Sequence, residues 1–118
     1  MQEESFRLQW RNFGDNLEAA FSEARHEPAF TDVTLACEDG SVSAHRLVLA
    51  AASPTLHTLL RSLPHHYPLI FLRGVARAEL EHLVEFMYTG EVAVPALLLA
   101  PLLAAARDLQ VRLLSSTI

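Results

Sequence analysis

The chain has no lysine and one cysteine, Cys37, among its 118 residues; all nine basic residues are arginine. A single cysteine excludes an internal disulfide and points to a reducing, intracellular compartment. Without lysine there is no internal side-chain amine to acetylate or ubiquitinate, and an arginine-only set beside abundant Ala and Leu is what a GC-rich gene gives. Clustered positive charge is missing as well. The arginines are scattered singly from Arg7 to Arg112 against 14 acidic residues, for a net charge of −5. Binding to a phosphate backbone needs a basic patch, so direct nucleic-acid binding is not expected. No apolar run follows a basic region at the start, so no signal peptide is read there. The leucine-rich stretch 92–103 is too short to span a bilayer and is interrupted by Pro95 and Pro101, so the expectation is a soluble chain with no membrane partner. There is no glycine-rich phosphate loop, no nucleophile elbow and no HExxH. His65 and His66 are adjacent, with no cysteine or carboxylate at ligand spacing. No enzyme activity, metal or cofactor is expected.

What is present is apolar. Hydrophobic residues make up 51% and charged residues 19%, with a mean hydropathy of +0.21. That excludes a disordered chain and gives one compact domain, 1–118. It also implies more apolar surface than a monomer of this size can hide, and large exposed apolar patches mark partners.

The pattern changes period along the chain. Residues 6–10 alternate apolar and polar, as in a half-buried strand. Asp15 reads as a helix cap with Glu18 completing a capping box; Leu17, Ala20, Phe21 and Ala24 follow at helical spacing and Pro28 closes the element. Residues 31–38 alternate again, with Val33, Leu35 and Cys37 on one face. Asp39-Gly40 is a hairpin signal, and Val42 and Ala44 return as the partner strand. Residues 46–52 are helical. Ser53-Pro54 supplies an N-cap and a first-turn proline for a further helix with Leu56, Leu59, Leu60 and Leu63 buried. Residues 68–72 read as a strand, 76–88 as a helix ended by Gly90, and 92–94 as a short strand. Two helical pieces, 95–99 and 101–109, complete an α+β fold, because Pro101 suits a first turn better than an interior. Cys37 lies mid-strand among apolar neighbours and reads as a buried small hydrophobe; His45, at a strand end, reads as a hydrogen-bonded structural histidine.

Three stretches in fixed order carry a resemblance: FTDVTL at 30–35, AHRLVLAAASP at 44–54 and LVEFMYTGE at 83–91. Together they resemble the BTB/POZ signature, and the opening FRLQWRN at 6–12 is similar to the N-terminal strand of the tramtrack / GAGA-factor group of arthropod transcription and chromatin factors. The resemblance covers residues 6 to about 114. It departs at Leu56, where the family usually has an aromatic residue, and at Leu97, Leu98 and Leu99, where relatives are more polar.

The resemblance implies a small mixed sheet flanked by helices, with an N-terminal strand available for exchange. It implies a nuclear domain that pairs with itself, as a dimer or higher oligomer, or with related BTB domains and corepressors. An adaptor for a cullin-type ubiquitin ligase is the alternative; the potassium-channel branch matches the 44–54 stretch less well. Group members usually carry a DNA-binding module beyond this domain, so an excised N-terminal domain is expected. The implied oligomer interface is Phe6, Leu8 and Trp10 on the strand, Phe13, Leu17, Ala20 and Phe21 on the first helix, and Leu47, Val48 and Ala51 on the helix after the hairpin. Asp32 and Arg46 match two charged positions of a pocket at the dimer seam. They read as a partner-docking determinant or, somewhat in preference, as a structural ion pair fixing the dimer.

Overall fold

In the computed structural model, which describes residues 3–112, the hairpin sets the frame. Strands β1 (Val33–Cys37) and β2 (Gly40–Ala44) pair antiparallel, with Val33 opposite Ala44 and Leu35 opposite Val42. Alternation in β1 buries Val33, Leu35 and Cys37 on one face. Strand β3 (Leu69–Phe71) joins β1 in parallel, Leu35 opposite Ile70, giving a mixed sheet of order β2-β1-β3. The loop residues of the hairpin are Glu38 and Asp39, one position earlier than expected, and Gly40 is a strand residue opposite Cys37. A Cβ at Gly40 would lie 2.4 Å from Cδ of Arg77, so its missing side chain is the space that the arginine stem fills.

Five helices surround the sheet: α1 (Phe13–Ala24), α2 (Arg46–Ala52), α3 (Pro54–Ser62), α4 (Arg77–Thr89) and α5 (Ala96–Asp108). The core joins Val33 and Leu35 to Leu49 of α2, Leu56 and Leu60 of α3, and Leu80 and Val84 of α4. Leu56 is fully enclosed there, so an aliphatic side chain fills the position where the resemblance led to an aromatic one being expected. A second cluster lies between α4 and α5, built on Leu83, Leu102, Ala105 and Ala106. The α3 start is as read: the Ser53 hydroxyl accepts from the Leu56 N–H at 3.0 Å and Pro54 occupies the first turn. Gly90 ends α4 at φ 85°, the left-handed conformation that favours glycine.

Four expectations are corrected. Helix α1 begins at Phe13, with Asn12 as N-cap at φ 58° and no side-chain capping bond, so Asp15 and Glu18 lie inside the helix and form no capping box. Asn tolerates this left-handed conformation, and Asp15 in the first turn still meets the positive end of the helix dipole. Residues 92–94 join no ladder. Helix α5 is continuous through Pro101; the proline lacks the N–H that would bond to Leu97, and Leu97 is 92% exposed, so this weakened turn faces solvent. Finally, residues 6–10 have no regular secondary structure and pair with no strand. The predicted end of the core at Leu114 lies outside the described residues.

Asp39 ties the hairpin to α4. Its Oδ1 accepts the backbone N–H of Arg77 at 2.8 Å, at the start of that helix. This bond and the Cys37 thiol donor hold the carboxyl below its ordinary value, which means the folded state favours the ionised form. Its stabilisation is therefore present above the unfolded carboxylate range, about pH 4, and disappears as pH falls through the lower folded value. Melting temperatures of wild type and Asp39→Asn, measured from pH 7 to pH 2.5, should converge at the acid end; a gap independent of pH would contradict this role.

Candidate self-association surface

Helix α1 is amphipathic yet has no buried residue. Its apolar side faces α2 across an open groove of about 590 Å³. Leu17 and Phe21 form one wall, and Leu47, Val48 and Ala51 the other; Phe86 and Met87 of α4 and Val111 add to the apolar lining, with Glu18 and Arg112 as its charged members. Leu47 is 71% exposed although it lies in an apolar run. Apolar side chains that line a groove without filling it have water where a partner surface would otherwise pack.

Ahead of α1 the chain projects as an arm. Phe6 is 83% exposed, Leu8 93% and Trp10 59%; Trp10 meets Phe13 edge to face at 4.9 Å between ring centroids. The arm does not fold back on the domain. The radius of gyration is 16.9 Å, against about 13–14 Å for a compact chain of this length. Fully covering the Phe6 or Trp10 side chain would contribute on the order of 2–3 kcal/mol each.

Of the expected interface, the structure brings Leu17, Phe21, Leu47, Val48 and Ala51 into one groove and sets Phe6, Leu8, Trp10 and Phe13 beside it on the arm and the first turn of α1. Ala20 is on α1 but does not line the groove. Phe86 and Met87 were not anticipated. Phe86 interrupts a side of α4 otherwise rich in Glu79, Glu81 and Glu85, which was the available signal.

Asp32 and Arg46 do not form the expected ion pair. Asp32 Oδ1 accepts the backbone N–H of Arg46 at 2.7 Å, at the start of α2. The Arg46 guanidinium instead donates to the carbonyl of Leu60 at 3.2 Å, near the end of α3. Each charge is placed at the end of the helix dipole it suits, so within one copy both are used in holding helices. Among the described residues the ion pair is Arg77–Glu81, at 2.9 Å.

His45 is buried and structural, as read. Tyr88 Oη accepts the His45 backbone N–H at 2.9 Å and lies 2.6 Å from His45 Nδ1. Burial pushes the Tyr88 phenol above its ordinary pKa, which keeps the hydroxyl neutral beside that nitrogen. The Phe21 ring stands edge-on to His45 at 5.8 Å, and the Arg25 guanidinium lies 5.2 Å over the Tyr88 ring. Cys37 is buried, with its thiol donating to Asp39 Oδ1 and the Gly40 carbonyl; burial foremost raises its pKa, so it has no nucleophile's character. Among the described residues no three His, Cys, Asp or Glu side chains are grouped to hold a metal, and no helix is long and apolar enough to cross a membrane.

The BTB/POZ domain family model matches residues 21–117. The chain belongs to the BTB/POZ family. It is similar to three Drosophila melanogaster proteins of the tramtrack group. Identity is 41% over 115 residues to longitudinals lacking protein-like, covering 98% of this chain and 91% of that one. It is 38% over 112 residues to the alpha isoform of tramtrack, covering 95% of this chain and 14% of the relative. It is 40% over 107 residues to transcription activator GAGA, covering 91% and 18%. The chain thus spans less than a fifth of two of these relatives. In fold it is similar to the BTB domain of zebrafish PATZ1, with TM-score 0.79 at 22% identity, covering 92% of this chain and 89% of that chain.

Placing a charge in the groove should separate association from folding. Leu47→Asp sits on a largely exposed position, so its helical circular dichroism should match wild type, while its mass by light scattering should fall to that of a monomer. Unchanged mass would remove this BTB groove from the interface.

Proposed function

We propose that this BTB domain is the self-associating module of a nuclear transcription or chromatin regulator, and that it works by binding proteins. The observation that carries the reading is the apolar groove between α1 and α2, open in a single copy and flanked by an unpaired apolar arm. A second copy, or a related BTB domain, covers that groove, and the arm crosses to the partner to complete a sheet. An extended edge with free backbone groups is a template for such pairing, and residues 92–94, which join no ladder, would offer the arm a place to pair.

The relatives support the regulatory half of the reading. One is named as a transcription activator, and the net charge of −5 argues against this domain itself gripping nucleic acid. Association would raise the avidity of DNA-binding modules attached to it, because the second contact becomes intramolecular. Recruitment of corepressors or other cofactors would use surface left free once the groove is covered. Because the apolar arm is separate from the groove it flanks, assemblies beyond the dimer are part of the proposal.

Sedimentation velocity on the chain with and without residues 3–11 tests it. Removing the arm should lower the mass of the assembly and its melting temperature together. If neither changes, the arm takes no part in association and the exchange is wrong.

A further inference from the structure

A second cleft, of about 580 Å³, runs along the free edge of β2 on a different part of the domain from the groove. β2 pairs with β1 on one side only, and Ser41, Val42 and Ser43 line the cleft floor. An edge strand lying at the bottom of a cleft, with one row of backbone groups not used by the sheet, is where an extended peptide adds as a further strand.

The walls select what enters. On one side the Thr31 and Tyr67 hydroxyls lie 3.0 Å apart. On the α4 side Arg77 is already neutralised by Glu81 at 2.9 Å. Arg25 is different: it is half-buried, its guanidinium lies over the Tyr88 ring, and it has no carboxylate within ion-pair distance among the described residues. Glu85, the opposing unpaired charge at this cleft, is exposed and already hydrated. A half-buried cation gains more from an arriving anion than an exposed carboxylate gains from a cation, because less water is displaced for each new contact. Arginine's planar fork suits a carboxylate in particular.

We propose that this cleft is a peptide-docking site that adds an extended, carboxylate-bearing segment of a partner protein to the edge of β2, with the carboxylate on Arg25. This rests on the recruitment half of the proposed function and gives it a place, since Asp32 and Arg46 are occupied in holding helices. The site is separate from the groove, so a docked peptide and a second copy of the chain can be held together.

The test uses the whole chain, 15N-labelled, titrated with two blocked five-residue peptides of alternating threonine and valine, one with a central glutamate and one with a central lysine. The glutamate peptide should shift the amide resonances of Ser41, Val42 and Ser43 saturably, with at least tenfold tighter binding than the lysine peptide. Arg25→Gln should abolish that preference and Arg25→Lys should keep part of it, and melting of each variant shows whether α1 stays docked. Shifts confined to the Leu47 groove, equal binding of both peptides, or no shift with either would overturn the proposal. Diffusion of the same samples reports self-association independently, so failure here leaves the oligomer reading standing.

Discussion

The Tyr88 hydroxyl is the contact on which the shape of the groove depends. It accepts the His45 backbone N–H at the junction of β2 and α2 and lies against the His45 ring nitrogen, so one side chain of α4 fixes where α2 begins. The same two rings receive α1: Phe21 packs on His45 and Arg25 on Tyr88. Since α1 has no buried residue of its own, these contacts decide where its apolar side points. A neutral, buried phenol suits the task because it can accept one bond and donate another without a charge to desolvate.

Carboxylates at either end of β1 extend the same logic. Asp32 holds the start of α2 and Asp39 the start of α4, each through a backbone N–H that a helix leaves unpaired. The central strand therefore sets the origin of two helices, and Ser53 sets that of a third. The groove between α1 and α2 is built on this frame, while the arm before α1 meets its own domain through Trp10 on Phe13 and leaves Phe6 and Leu8 exposed. That contrast is what a surface completed by a second copy requires: a preorganised receptor and a free strand in the same chain.

Most of the frame was legible in the sequence because local signals and packing agree there. Val33, Leu35 and Cys37 alternate on a strand that buries one face, Ser53-Pro54 starts a helix where a helix starts, and Gly90 ends one. The misreadings fall where a local rule met a non-local partner. Asp32 and Arg46 looked like an ion pair because opposite charges attract, but the unpaired N–H and carbonyl groups at helix ends were closer and better oriented. Pro101 looked like a break, yet α5 passes through it because packing of Leu102, Ala105 and Ala106 against Leu83 holds the helix on the other side. Asn12 outcompeted Asp15 because chain geometry, not a side-chain bond, sets the start of α1. Residues 6–10 and 92–94 have the strand pattern without a ladder, since period in a sequence reports which face is apolar and says nothing of which chain supplies the neighbour. Spacing alone does not mark Phe86 and Met87 as interface residues; only the placement of α1 and α2 opens a groove beside them.

In the proposed assembly, apolar surface left open in one copy of this BTB domain is closed by another. Hydrogen exchange of the backbone amides of residues 6–10, compared between wild type and Leu47→Asp, tests it most directly. Slowed exchange is expected in the wild-type assembly, and rates close to those of a free peptide in the variant, if the arm is ordered by a partner. Equal rates in the two proteins, whether slow or fast, would contradict it.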